Sequence, residues 1–128
     1  MTMKLTDQQI AFLKEPNYAV VATVDGHGRP RTTVVWVDTD GTDVIFNTTT
    51  KRAKARHLAK TPYVSVLVID RDTPHRWVEF QGPVETTEEG AAEHINMLSN
   101  KYYGHDFERL QDRLIVRVHP ERVNEYDL

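Results

Sequence analysis

The chain has 128 residues, 39% of them hydrophobic and 27% charged, with a formal charge of −3. That is about one domain's length at an ordinary soluble composition, and the net charge speaks against general nucleic-acid binding. Cysteine is absent, no apolar run approaches a membrane span and no charged-then-apolar leader opens the chain, so the expectation is a cytoplasmic protein without a membrane span.

Thr6 to Leu13 reads as a short helix capped by Thr6 and stopped before Pro16, with Ile10 and Leu13 inward. Tyr18 to Val24 and Arg31 to Val37 are β-rich runs joined by the turn Asp25-Gly26-His27-Gly28, which makes a hairpin. The turn Asp38-Thr39-Asp40-Gly41 leads to a third strand, Val44 to Asn47, and a basic helix follows to about Lys60. Tyr63 to Ile69 and Trp77 to Glu85 form a second hairpin, with Gly82-Pro83 as a bulge. Thr86-Thr87-Glu88-Glu89 fits a capping box before a helix reaching about Tyr103, with Ile95 and Leu98 facing the core. Leu114 to Val118 is a last long strand, continued after Pro120 by Val123 to Tyr126. Six or so strands without a βαβ rhythm predict a mainly β chain with short flanking helices (α+β), folded as a single antiparallel barrel domain over residues 1–128. Strand positions apolar on both faces, as in Val64 to Ile69, predict a homodimer that buries the surplus.

The run Phe46 to Leu58 carries the strongest chemical signal: a strand end, the hydroxyls of Thr48, Thr49 and Thr50, then Lys51, Arg52 and Lys54 at a helix start. A helix N-terminus already bears partial positive charge, so cations placed there raise the energy of the empty site and predict a phosphate seat. On a helical wheel Lys54 falls close to Leu58 and points inward, while Arg56 and Lys60 lie on the solvated side.

The six histidines show no metal-binding spacing, and no metal site is expected. His75, in a loop near Trp77, is the one histidine singled out as a candidate proton donor. Glu79 and Glu85 read as the wet face of a strand. No G-x-S-x-G, Walker loop or G-x-G-x-x-G is present, which leaves acyl transfer and nucleotide-loop chemistry without their usual supports.

Four segments together carry a family resemblance: Ala22 to Pro30 with its D-G-x-G-x-P hairpin, Arg52 to Leu58, Pro62 to Asp70, and Trp77 to Glu85 with Gly82. In that order and spacing, over nearly the whole chain, they resemble the pyridoxamine-phosphate-oxidase-like split-barrel flavoproteins, and more narrowly the small actinobacterial members that bind the deazaflavin coenzyme F420. The resemblance implies a split antiparallel β-barrel of the FMN-binding type and a cofactor groove at a homodimer interface. It implies that Arg52 and Lys54 hold the cofactor phosphate, helped by Lys51, Thr48, Thr49 and Thr50. It also implies that Thr32, Thr33, Val34, Val35 and Trp36 on the second strand contact the ring, and that Trp77 of the second protomer walls the pocket. The activity implied is F420-dependent hydride transfer to a conjugated carbonyl, quinone or similar small molecule. An FMN-binding oxidoreductase and a noncatalytic F420 carrier are the alternatives.

Overall fold

The structure, a computed structural model, describes residues 2–128. Three helices accompany eight strands: α1 (Asp7–Lys14), β1 (Tyr18–Val24), β2 (Pro30–Val35), β3 (Val37–Thr39), β4 (Val44–Thr49), α2 (Ala53–Lys60), β5 (Tyr63–Ile69), β6 (Trp77–Thr87), α3 (Ala91–Tyr103), β7 (Arg113–Val118) and β8 (Arg122–Tyr126). The strands form one antiparallel sheet in the order β2-β1-β5-β6-β7-β4-β3, with β8 added to β6. The outermost strands of that order, β2 and β3, are separated in sequence by Trp36 alone. A sheet whose opposite edges are joined by one residue must curl until they meet, and the result is the expected split antiparallel barrel with its seam at Trp36.

The long strand β6 belongs to both halves. Its first part pairs with β5 on one side and β8 on the other, and Val84 to Thr87 pair with β7. The ladder with β5 continues through Gly82 and Pro83 without an extra residue, so the predicted bulge is absent. Gly82 is required for another reason: a Cβ there would run into the carbonyl oxygen of His119, where the β7–β8 connection bends across β6. Period-two alternation sends Val64, Val66 and Val68 of β5, with Val78 and Phe80 of β6, into the barrel, where each is at most 1% exposed. Phe12 and Leu13 of α1 close one end of that core, and the Thr6–Gln9 capping box starts the helix.

Three local expectations change. The predicted second strand breaks at Trp36, because the Val37 N–H is taken by the Tyr102 hydroxyl (3.2 Å), and Val37–Thr39 pair with β4 instead. The turn therefore shifts to 40–43, where the Asp40 carboxylate accepts the Thr42 and Asp43 N–H groups. Thr86 and Thr87 extend β6, and α3 starts after Gly90 in the left-handed region with no side-chain cap. Ile95 and Leu98 are buried as expected. They pack outside the central cluster, on the face of the β4–β7 pair that looks away from the barrel interior.

Candidate functional site

The ladder between β4 and β7 fixes the site. Its register sets Thr49 opposite Arg113, Thr48 opposite Leu114 and Asn47 opposite Ile115, so the end of β4 lies beside the start of β7. The turn after β4 and the loop before β7 are then fastened together. The Thr50 N–H donates to the Asp112 carbonyl (2.9 Å), and the Lys51 ammonium lies 3.4 Å from the Asp112 carboxylate. Asp112 has a left-handed backbone (φ 58°), which an aspartate tolerates better than most residues and which turns the loop into the strand.

A cavity of about 460 Å³ opens at this junction. Its floor is Asn47, Thr48 and Thr49, its apolar wall is Ile95, Leu98 and Phe107, and Val34, Val35 and Trp36 border it at the seam. Four cations face it: Arg52 and Lys54 from the start of α2, Arg109 from the loop ahead of β7 and Arg113 from the first position of β7. Among the described residues none of the four is paired with a carboxylate. Burial, and after it the charges of Arg52 and Arg113, lowers the Lys54 ammonium below its ordinary pKa. Burial, then Arg52 and Arg109, does the same to the Arg113 guanidinium. Cations held this close without counter-charge make a site that favours an anion.

Local structure supports that reading. Helix α2 spans eight residues and has Arg52 as its N-cap with no side-chain hydrogen bond, so no side chain covers its first N–H groups. So short a helix depends on tertiary anchors. Leu58 enters the core, and the His57 ring bonds the Thr23 hydroxyl (2.9 Å), so His57 braces α2 against β1. Arg113 is held from two sides: its Nε donates to Asn47 Oδ1 (2.9 Å) and its guanidinium lies over the Phe107 ring, 5.4 Å from the centroid. Asn47 is itself aimed by α3, donating to the Ala91 carbonyl (3.0 Å) and to His94 Nδ1 (2.9 Å). An acceptor Nδ1 means that His94 carries its proton on Nε2, which is buried without a partner, and burial pushes the ring down to about 4.

Of the residues singled out in the sequence, Val34, Val35, Trp36, Thr48, Thr49, Arg52 and Lys54 meet at this cavity. Thr32 and Thr33 are exposed on β2, and Thr50 is exposed in the turn. Lys51 is engaged with Asp112, while Trp77, on β6, stacks on Tyr126 of β8 (6.3 Å) and lines neither described cavity. His75 is exposed in the β5–β6 loop and lines no described cavity. Asn47, Phe107, Arg109 and Arg113 escaped the sequence reading. Only the β4–β7 pairing makes Arg109 and Arg113 neighbours of Arg52, and no local pattern announces that pairing.

Comparison with known proteins agrees with the fold. An F420 reductase of known structure superposes with a TM-score of 0.83 at 30% identity, over 94% of this chain and 98% of that one. A conserved hypothetical protein from Mycobacterium tuberculosis superposes with a TM-score of 0.81 at 25% identity, over 98% of this chain and 86% of the other. A pyridoxine/pyridoxamine 5'-phosphate oxidase of Mycobacterium sp. (strain JLS) is 41% identical over 81 residues, which is 62% of this chain and 38% of that protein. The chain thus matches well under half the length of that oxidase. The family model described as pyridoxamine 5'-phosphate oxidase matches residues 5–127. With a split barrel and a cation-lined cavity at its seam, this chain belongs to the pyridoxamine 5'-phosphate oxidase family.

Proposed function

We propose that the cavity holds the anionic part of a flat redox cofactor, coenzyme F420, and that the protein is a cytoplasmic F420-dependent reductase acting on a conjugated carbonyl or quinone-like small molecule. The observation that carries this is the convergence of Arg52, Lys54, Arg109 and Arg113, unpaired, on one cavity beside Val34 to Trp36. The set extends beyond what one phosphate occupies, which favours a cofactor with a long acidic tail over FMN. In this reading Arg52 and Lys54, with the Thr48 and Thr49 hydroxyls, hold the phosphate, and Arg109 and Arg113 hold the further negative charge. Val34, Val35 and Trp36 form the apolar border against which a ring system rests. The bound cofactor supplies the hydride. The acceptor gains that hydride and a proton from water, and the cofactor is oxidised by two electrons.

A homodimer completes the proposal. The outer face of the β1-β5-β6 part carries Val20, Leu67, Ile69 and Trp77, with Val20 opposite Leu67 and Ile69 opposite Trp77, an apolar surface that a second copy would cover. One observation favours the carrier reading as an alternative. Among the described residues the one carboxylate lining the cavity, Asp112, is engaged by Lys51, and no histidine lines it, so the cavity lining offers no evident proton donor.

Titration with F420 and FMN tests the assignment, followed by the Arg52→Ala and Lys54→Ala forms. Tighter binding of F420, weakened about tenfold or more by each substitution, is the expected result, since a charge-assisted contact is worth about 1.5–3 kcal/mol. Unchanged affinity in both variants discards the seat. Turnover of enones or quinones by the reduced complex separates the reductase from the carrier.

A further inference from the structure

A second cleft, of about 210 Å³, lies against the same seam and shares Val34, Val35 and Trp36 with the cation-lined cavity. We infer that this cleft is the acceptor subsite and that it takes a flat conjugated molecule bearing a carboxylate, which Arg71 holds. The assignment of the acceptor rests on the redox reading above; the ligand chemistry rests on the cleft itself.

Aromatic rings make the walls. Tyr102 stacks on Trp36 at 5.6 Å and 16°, Tyr103 meets it edge-on at 5.1 Å and 89°, and Tyr18 stands beside them. Tyr18 is 58% exposed and Tyr103 65%, so the cluster presents rings to solvent rather than filling a core. Offset stacking and edge contacts are the natural reception for another planar π-system. An apolar cavity of about 150 Å³ accepts a benzene ring, so this volume suits a substituted ring or a fused pair.

The walls are fixed in advance by one buried side chain. Asn17 is 0% exposed; its Nδ2 donates to the Phe12 carbonyl (3.0 Å) and its Oδ1 accepts the Arg71 N–H (3.1 Å). Its own carbonyl accepts the Tyr102 hydroxyl (2.8 Å), which in turn accepts the Val37 N–H. The end of α1, the turn carrying Arg71, the Tyr102 ring and the seam at Trp36 are therefore joined through one residue. Burial pushes the Tyr102 hydroxyl up to about 12, so it stays a neutral donor.

Among the described residues Arg71 is the single charged side chain lining the cleft. Among the described residues its guanidinium has no ion pair, and the neighbouring Asp70 is held by Arg76 at 2.8 Å. A free planar fork beside ring faces selects an anion attached to a flat body, and carboxylate geometry matches the fork. Trp36 borders both spaces, which keeps the contents of the two within short reach, as transfer between them requires.

Calorimetric titration of the full chain with naphthoate and with its neutral analogue naphthalenemethanol tests the inference. Arg71→Ala should weaken naphthoate by about tenfold, the usual size of a lost charge-assisted contact, while naphthalenemethanol, F420 and FMN keep their affinities. Arg52→Ala and Lys54→Ala should weaken the cofactors and leave naphthoate alone. Naphthoate binding that ignores Arg71 but is lost with Arg52 and Lys54 overturns the inference, because the probe then sits in the larger cavity. Failure of wild type to bind either probe overturns it as well. Arg71-dependent naphthoate binding in a protein that binds neither cofactor would uphold the carboxylate cleft and discard the cofactor reading.

Discussion

The barrel interior and the junction of β4 with β7 are built to opposite rules. Inside, Val64, Val66, Val68, Val78 and Phe80 interlock at near-zero exposure, and the sequence there serves the folded state. At the junction, Arg52, Lys54, Arg109 and Arg113 converge with no carboxylate partner among the described residues, and burial together with the neighbouring arginines disfavours the charged forms of Lys54 and Arg113. A region that stabilises the empty protein can be explained by packing alone, whereas one that works against it points to something absent from the chain.

Deleting the interior should therefore cost stability and nothing else. Phe80→Ala removes a fully buried ring and should lower unfolding free energy by about 3–5 kcal/mol. Chemical denaturation measures this, and the protein that remains folded should bind its cofactor with normal affinity. A loss under about 1 kcal/mol would mean that the interior collapses around the gap and that the division between the regions is overdrawn.

The junction should respond the other way. Lys54→Met keeps an apolar stem and removes the charge. Empty-state stability should hold or rise by on the order of 0.5 kcal/mol, the scale of like-charge repulsion on a helix. Cofactor affinity should fall about tenfold or more. Ligand-induced stabilisation, about 2.7 kcal/mol at one hundred times Kd for wild type, shrinks accordingly at the same ligand concentration. If Lys54→Met destabilises the empty protein by more than about 1 kcal/mol, its ammonium has a structural partner and the contrast fails.

The sequence reveals these regions unequally, and the reason is the range of the interactions. β1 and β5 are legible to the residue because alternation along Tyr18 to Val24 and Tyr63 to Ile69 is a local signal. The basic start of α2 is legible too, because threonines and cations are contiguous. The seam is not: Arg31 to Val37 contains no breaker after Pro30, and the chain changes strand at Trp36 because a tyrosine hydroxyl sixty-five positions later takes the Val37 N–H. Arg113 is hidden for the same reason, its role depending on Asn47 across a strand pair sixty-six positions apart. The capping box at Thr86 to Glu89 misleads because β6 gains more by pairing Thr86 and Thr87 with β7 than by ending early.

His94 links the two regions through pH. The fold lowers this ring from 6.5 to about 4, chiefly by burial, so between those values the unfolded chain takes up a proton that the folded chain refuses. Stability should therefore fall as pH drops from about 6.5 to about 4 and level off below, by about 1–2 kcal/mol once solvent screening of a partly exposed ring is allowed for. Protonation of the folded ring turns Nδ1 into a donor facing the Asn47 amide, which loosens the hold on Arg113 and should weaken anion binding only as the pH falls through about 4, below the window in which stability is lost. His94→Gln removes the titration. The difference between wild-type and variant stability should vary with pH across that window, and a constant difference would refute the assignment.

Lys51 should give the smallest effect, and it sharpens the contrast most because it sits directly before Arg52. Its ammonium lies 3.4 Å from Asp112, with the two side chains 80% and 51% exposed. Exposed pairs of this kind contribute little, so Lys51→Ala should change stability by under about 0.5 kcal/mol and cofactor affinity by less than about threefold. Raising the salt concentration should erase even that difference, because screening acts most strongly on exposed charge. The test is the ratio of affinity losses at Lys51 and Lys54. If the two substitutions weaken binding equally, the anion seat extends onto the exposed corner of the turn, and the burial of Lys54 is not what makes it a ligand-binding cation.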